Sequence, residues 1–215
     1  FSKMQDDIDR LRSAFLTTLR MTAFVAFPAC FGIAAVTPSF VRGFLGPDWT
    51  EMILPMQILA GYGLMRAIGK TFGPIWKATG RPDLIPKLQV VRLLLIVVLI
   101  YPMSQAFGLA GTALTVTGIY VFPMLPIDLY VIKHSVEATY REILQEVTYP
   151  LVASSAMFAG VWTLHLSLDI APILEFVILT VAGVLLYGVS VLVLETQFGW
   201  GIRQNITTLV SSVKS

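Results

Sequence analysis

The sequence predicts an all-α integral membrane protein with six transmembrane helices. Of its 215 residues, 56% are hydrophobic and only 13% are charged, and the mean hydropathy is +0.77. An ordinary soluble domain carries about 25% charged residues. Apolar runs of about 20 residues, the length that a helix needs to cross a bilayer, recur six times along the chain. This composition excludes the common soluble classes of protein.

The first three predicted spans follow a polar start. FSKMQDDIDRLR has the apolar spacing of a solvated helix, and the first span follows it. Asp48 and Glu51 are spaced as a capping box, which predicts the start of the second span. Gly80-Arg81-Pro82-Asp83 reads as a helix stop and a turn before the third. The three predicted spans cover residues 17–41, 51–76 and 88–107.

The remaining three spans lie at 109–132, 147–168 and 172–194. Only a short segment near 107–109 separates the third span from the fourth. Pro172 suits the first turn of the last helix, where its missing N–H costs nothing. Prolines inside the other spans introduce bends, which suit a protein that changes shape and also occur in static ones.

The distribution of Lys and Arg predicts that both ends of the chain are cytoplasmic, in the cell membrane, because these residues concentrate on the inner side. If residues 1–16 lie inside, the outer segments hold only Arg42. The basic excess therefore reflects inner loops, and no nucleic-acid partner is expected. The twelve inner cations are Lys3, Arg10, Arg12, Arg20, Lys77, Arg81, Lys87, Arg92, Lys133, Arg141, Arg203 and Lys214.

Two inner segments show helical apolar spacing: a linker over 134–146 and a tail over 196–215. Both fit helices that lie along the inner membrane surface. Packing of the same apolar faces against the rest of the protein fits equally well. The spans therefore divide into residues 1–133, which hold four, and residues 147–195, which hold a pair.

The second span carries cations where hydrocarbon is expected. Tyr62, Arg66 and Lys70 recur at steps of four and share one helix face, which Gly73 and Lys77 continue. A charge near the membrane centre costs several kcal/mol if it faces lipid. We therefore expect Tyr62, Arg66 and Lys70 to line a wet cavity that binds an anionic cargo such as a phosphate. Lys77, Arg81 and Lys87 would extend the positive charge to the cytoplasm.

A structural alternative is that Arg66 forms an ion pair with a carboxylate of another helix, such as Asp128, while Lys70 extends toward the surface. Asp128 lies about one turn inside the fourth span. It is a candidate for a buried ion pair or for a group that accepts a proton.

The sequence offers little for enzyme chemistry. The acidic group Asp6–Asp9 lacks the Asp-Asp-x-x-Asp spacing of prenyl-diphosphate enzymes, because Arg10 follows it, and acids near a helix start explain it better. His134 and His165 are predicted on opposite faces of the membrane. The single cysteine, Cys30, allows no intrachain disulfide. We expect no metal, no cofactor and no catalytic residue.

Three stretches carry a resemblance to a known family. FSKMQDD opens the chain, FLGPDW (44–49) closes the first span, and ATGRPDL (78–84) closes the second. With the order of the helices, they resemble the C-terminal part of oligosaccharide flippases. These proteins form the polysaccharide-transporter branch of the multidrug/oligosaccharidyl-lipid/polysaccharide exporter superfamily.

The resemblance implies the C-terminal part of a fold with about 12 to 14 helices in two lobes around a cavity that opens alternately to either side. Residues 1–133 would hold the last four helices of the second lobe, and 147–195 the extra pair. The partners would be the lipid bilayer, an N-terminal lobe outside this chain, and an oligosaccharide linked to a lipid pyrophosphate. Arg66 sits where the resemblance implies a cavity cation; Lys70 is not part of the family pattern.

Three other functions fit parts of the sequence. A drug or cation antiporter of the same superfamily would need buried carboxylates rather than buried cations. An integral-membrane glycosyl or phosphoglycosyl transferase of envelope assembly would need clustered carboxylates at one interface. A membrane scaffold would leave Arg66 unexplained unless it is ion-paired.

Overall fold

The computed structural model describes residues 8–78, 84–136 and 138–198, and within them every regular element is a helix. The long helices are α1 (Ile8–Phe40), α2 (Ile53–Gly69), α4 (Leu84–Ile119), α6 (Tyr140–Ser167) and α7 (Pro172–Phe198). Shorter helices are α3 (Phe72–Ala78) and α5 (Leu125–Val136). Wide π turns cover Val41–Leu45 and Tyr120–Met124, and a 3₁₀ helix covers Pro47–Met52.

These helices confirm the all-α integral membrane fold. Among the described residues, five helical segments are long and apolar enough to cross a membrane: Ile8–Leu45, Pro47–Lys77, Ile85–Tyr130, Tyr140–Ser167 and Pro172–Thr196. The expectations on Lys3, Asp6, Asp7 and Arg81, and on all but the first residues of the 196–215 tail, fall outside the described residues.

The segment Ile85–Tyr130 is too long for one crossing, and it reverses direction at Gly108. Gly108 has φ 58° and ψ −136°, which no helix contains. The Arg92 guanidinium lies 5.1 Å from the centre of the Tyr120 ring. In one straight helix these residues would be about 42 Å apart. The segment is therefore a hairpin with two arms of about 20 residues, each long enough to cross, and the arms coincide with the third and fourth predicted spans.

Helix α1 is the centre of the packing, with α6, α2 and α7 against it. Leu11, Phe15 and Leu19 are almost fully buried, and they recur at steps of four because one face of α1 turns inward. The core that they form also contains Ile68, Phe72, Ile75, Ile132, Val136 and Ile143.

The second half of the predicted linker, from Tyr140 onward, forms the first turns of α6. Thr139 and Glu142 form a capping box there, and the buried side chain of Ile143 joins the core around α1. Leu144, by contrast, is 65% exposed. The Asp48–Glu51 capping box predicted for the second span was wrong, because Gly46 is the N-cap of that 3₁₀ helix and no side chain caps it.

Two ion pairs attach α6 to α1. Arg12 donates to Glu142, and Arg20 donates to Glu146 from both Nε and Nη2, the latter to Oε1 at 2.7 Å. The bidentate geometry gives a guanidinium–carboxylate pair both strength and direction. These cations were predicted only as inner-side charges. Here they fix the relation between two helices.

Candidate functional site

A polar cavity of about 330 Å³ lies between α2, α3, the hairpin and α5. Its floor and walls combine cations, an acid, an amide and aromatic rings. Arg66 and Lys70 both line it, and both are exposed. The full lining is Arg66, Gly69, Lys70, Gly73, Trp76, Ile85, Leu88, Gln89, Arg92, Tyr120, Met124 and Asp128.

The predicted continuous helix face is interrupted at Lys70. Helix α2 ends at Gly69, and Thr71 bonds back to the carbonyl oxygen of Ile68 through its N–H at 3.0 Å and its Oγ1 at 2.7 Å. These local bonds compete with a continuing helix. Helix α3 then begins at Phe72. Arg66, Lys70 and Gly73 still line the same cavity, whereas Lys77 is not part of the lining.

Tyr62 lies beside the cavity and contacts two arginines. Its Oη accepts a hydrogen bond from Arg92 Nη2 and a longer one, 3.4 Å, from Arg66 Nη1. The Arg92 guanidinium lies 5.4 Å from the Tyr62 ring centre and 5.1 Å from that of Tyr120. The two rings meet edge to face with centres 5.7 Å apart. Arg92 is thus held against two aromatic faces, an arrangement that suits a planar guanidinium.

Gly69 makes room for this arrangement. A Cβ at position 69 would lie 1.9 Å from Tyr120 Oη and 3.0 Å from its Cζ. Any side chain larger than hydrogen would therefore displace the Tyr120 ring. The absence of a side chain at Gly69 thus allows the Tyr120 ring to approach the backbone of α2 closely.

Asp128 lines the same cavity from α5 and is only 7% exposed. Within the residues that the structure describes, no ion pair joins it to Arg66, Lys70 or Arg92. The direct Arg66–Asp128 pair, which was the structural alternative for Arg66, is absent from this part of the chain. Asp128 nevertheless shares a cavity with all three cations.

The cavity carries an excess of positive charge. Its lining holds three cations (Arg66, Lys70 and Arg92) and one carboxylate (Asp128), which leaves a net charge of +2 if all are ionised. Arg66 and Arg92 both donate to the Tyr62 hydroxyl, so their donating nitrogen atoms lie within about 7 Å of each other. Two like charges at that separation repel by about 2 kcal/mol at an effective dielectric constant near 20, and by less where water enters. An anion placed between them would relieve this repulsion.

Arg92 and Tyr120 are site residues that sequence reasoning missed. Arg92 was predicted only as an inner cation, although it lies four residues inside the predicted third span. A cation inside a span is the signal that could have identified it as a site residue. Nothing in the local sequence indicated Tyr120, because it reaches the cavity only through the hairpin. Gln89 lies one turn before Arg92 on the same helix, so it lines the same cavity.

A larger cavity of about 720 Å³ lies between α1, α6 and α7 and is almost entirely apolar. Phe24, Phe40 and Phe176 contribute rings, and Thr37 and Thr180 bond to carbonyl oxygens of their own helices. Among the residues that the structure describes, those that line this cavity carry no charge.

Comparison with known proteins shows which sequences this chain resembles. Residues 1–54 match a family described as Polysaccharide biosynthesis protein. The chain is also 28% identical over 154 residues to the Lipopolysaccharide biosynthesis protein WzxC of Escherichia coli (strain K12), a match that covers 72% of the chain and 31% of the relative. The chain is therefore similar to proteins of polysaccharide biosynthesis.

Further relatives agree with this assignment. The Teichuronic acid biosynthesis protein TuaB of Bacillus subtilis (strain 168) is 27% identical over 73% of the chain and 32% of its own length. An uncharacterized membrane protein in the cps region of Klebsiella pneumoniae is 27% identical over 53% of the chain and 23% of its own length. No solved structure matches the chain. The chain thus spans about a third or less of the length of these relatives.

Proposed function

We propose that this chain is part of a transporter that flips polyprenyl-pyrophosphate-linked oligosaccharides across the cytoplasmic membrane by alternating access. The main support for this proposal is the polar cavity, whose lining combines three cations and one carboxylate among membrane-spanning helices. A diphosphate linked at both ends to carbon carries about two negative charges at neutral pH, which would balance the net +2 of the lining. The named relatives supply the link to surface polysaccharide assembly.

In this proposal Arg66 is the principal ligand of the pyrophosphate group. It is exposed to the cavity, and its planar fork suits bidentate contact with a phosphate. Lys70 adds a mobile point charge, and Tyr62 orients the arginines through its hydroxyl. The lipid tail would stay in the bilayer while the head group crosses. No covalent step is needed, so the proposed protein is not an enzyme.

The remaining parts of the proposal concern the whole protein. The chain would be the C-terminal part of a two-lobe flippase, and an N-terminal lobe would form the opposite wall of the cavity. Both ends of this segment would lie in the cytoplasm. Residues 1–133 would complete the second lobe, 134–146 would connect it to the pair in 147–195, and 196–215 would form a cytoplasmic tail.

The test is export of surface polysaccharide by the complete protein in a bacterial strain that lacks its own flippase. Arg66→Ala removes a charged hydrogen-bond donor, so we expect export to fall about tenfold or more. Arg66→Lys keeps the charge and loses the fork, so export should be intermediate. Arg42→Ala is the matched control, because Arg42 is an exposed cation outside the cavity. Normal export by both Arg66 variants at normal protein levels would contradict the proposal.

An antiporter that exchanges drugs or cations is the second candidate, and the buried carboxylate of Asp128 favours it. The same strain can be tested for ion-driven efflux of a cationic dye. Efflux that survives Arg66→Ala but is lost with Asp128→Asn would favour the antiporter. The proposed flippase predicts the opposite: polysaccharide export is lost with Arg66→Ala and survives Asp128→Asn. An integral-membrane transferase has less support, because no metal-binding group of carboxylates occurs among the residues that the structure describes.

A further inference from the structure

Arg92 differs from the other two cavity cations in how it is held. Arg66 and Lys70 lie on exposed positions at the end of α2, whereas Arg92 is half-buried on the first arm of the hairpin. The rings of Tyr62 and Tyr120 lie against its guanidinium at 5.4 and 5.1 Å. A long side chain held in this way has already lost much of its freedom, so binding an anion costs little further entropy.

The donors of Arg92 are incompletely used. A guanidinium carries five N–H donors. Within the described part of the chain, Nη2 donates to Tyr62, and Nε is buried without a hydrogen-bond partner. A buried donor without an acceptor costs free energy. Nε has almost no accessible surface, so an anionic oxygen in the cavity would meet the remaining Nη donors of this lining side chain. Arg92 therefore has free capacity for an acceptor at the cavity wall.

The two arginines approach the cavity from different helices. Arg66 extends from α2 and Arg92 from α4, and both donate to the Tyr62 hydroxyl between them. Each guanidinium favours two parallel hydrogen bonds to one phosphate. One phosphate can accept from both forks only where the two guanidiniums converge on its few terminal oxygens. Two linked phosphates offer each guanidinium a phosphate of its own and can bridge α2 and α4 across Tyr62.

We infer that Arg92 is a specificity-determining residue, which makes the cavity prefer a diphosphate ester over a monophosphate ester by binding the second phosphate. This inference rests on the proposed function and assigns a separate task within it. Arg66 with Lys70 binds one phosphate of either ligand. Arg92, positioned by Tyr62 and Tyr120, binds only the second phosphate, which a monophosphate lacks.

The experiment compares two ligands on the complete protein, purified in lipid nanodiscs. The probes are a short polyprenyl diphosphate and the matching polyprenyl monophosphate, and the readout is the dissociation constant of each by calorimetry. Wild type should bind the diphosphate more tightly. Arg92→Lys keeps the charge and loses the fork, so the preference for diphosphate should fall about tenfold while monophosphate affinity changes less than about twofold. Arg92→Gln should remove most of the preference.

A matched control and the opposing outcomes separate this inference from the proposed function. Arg141→Gln removes an exposed cation of α6 that does not line the cavity, so the preference should be unchanged. Equal weakening of both ligands by Arg92→Lys would mean that Arg92 adds only general positive charge, which overturns the inference alone. Wild type that binds neither probe would overturn the proposed function, and the inference with it. If Arg92→Gln does not fold, the binding preference of Arg92→Lys alone tests the inference.

Discussion

Single residues decide how the polar cavity is built. Gly69 ends α2 against the hydroxyl end of Tyr120, and the Tyr120 ring in turn supports Arg92. Arg66 could be selected from the sequence because a cation deep in an apolar run needs a reason to be there. Arg92 and Tyr120 could not be placed, since their contacts join residues 28 positions apart.

The contact between Gly69 and Tyr120 predicts a large effect from a small substitution. In Gly69→Ala the new methyl group would overlap Tyr120 Oη at 1.9 Å, so the ring must move. Overpacking of this kind costs about 1 to 3 kcal/mol. We expect a lower thermal unfolding midpoint in detergent and weaker anion binding. Gly61→Ala is the control on the same helix, because its Cβ meets no atom within 4 Å. Equal midpoints for the two variants would contradict the predicted contact.

At the scale of helices, one glycine converts a long apolar segment into two crossings. The hairpin brings Arg92 and Tyr120 together and places Asp128, near the end of its second arm, in the same cavity. Apart from Lys87, Arg92 and Asp128 the segment carries no charge, so hydropathy alone gives little indication of where the chain reverses. The short outer segment predicted near 107–109 nevertheless coincides with the reversal.

The hairpin predicts that position 108 requires glycine. Its φ of 58° with ψ of −136° is a conformation that residues with a Cβ rarely adopt, and forcing them into it costs about 1 to 3 kcal/mol. Gly108→Ala should lower the thermal unfolding midpoint, and it should reduce anion binding because the two arms supply Arg92 and Tyr120. Gly118→Ala lies in a helix with open space around it and should leave both properties near wild type. A Gly108→Ala protein with wild-type stability and binding would argue against the reversal.

At the scale of the molecule, the number of crossings fixes which loops share a side of the membrane. With the hairpin, three crossings separate the turn at Asp48 from Lys133, and one more leads to the turn at Asp169. We therefore predict that Asp48 and Asp169 lie on one side and Lys133 on the other. From the distribution of basic residues we expect the side of Lys133 to be the cytoplasmic one.

Cysteine labelling tests this arrangement. In a Cys30→Ala background, single cysteines replace Asp48, Asp169 or Lys133, all of which are exposed. A membrane-impermeant maleimide should label positions 48 and 169 in intact cells, and position 133 only after the membrane is permeabilised. If positions 48 and 133 are labelled together from the outside, the segment Ile85–Tyr130 crosses once and the hairpin is wrong.

The all-α membrane fold and the polar face of the second span follow from local properties of the chain: apolar runs of membrane length, few charges, and cations repeated at helical spacing. Burial of hydrophobic surface depends on composition and period, which the sequence displays directly. The cavity depends instead on contacts between distant residues. Only the packed helices bring Arg92, Tyr120 and Asp128 beside Arg66, because the reversal at Gly108 and the end of α2 at Gly69 set their positions.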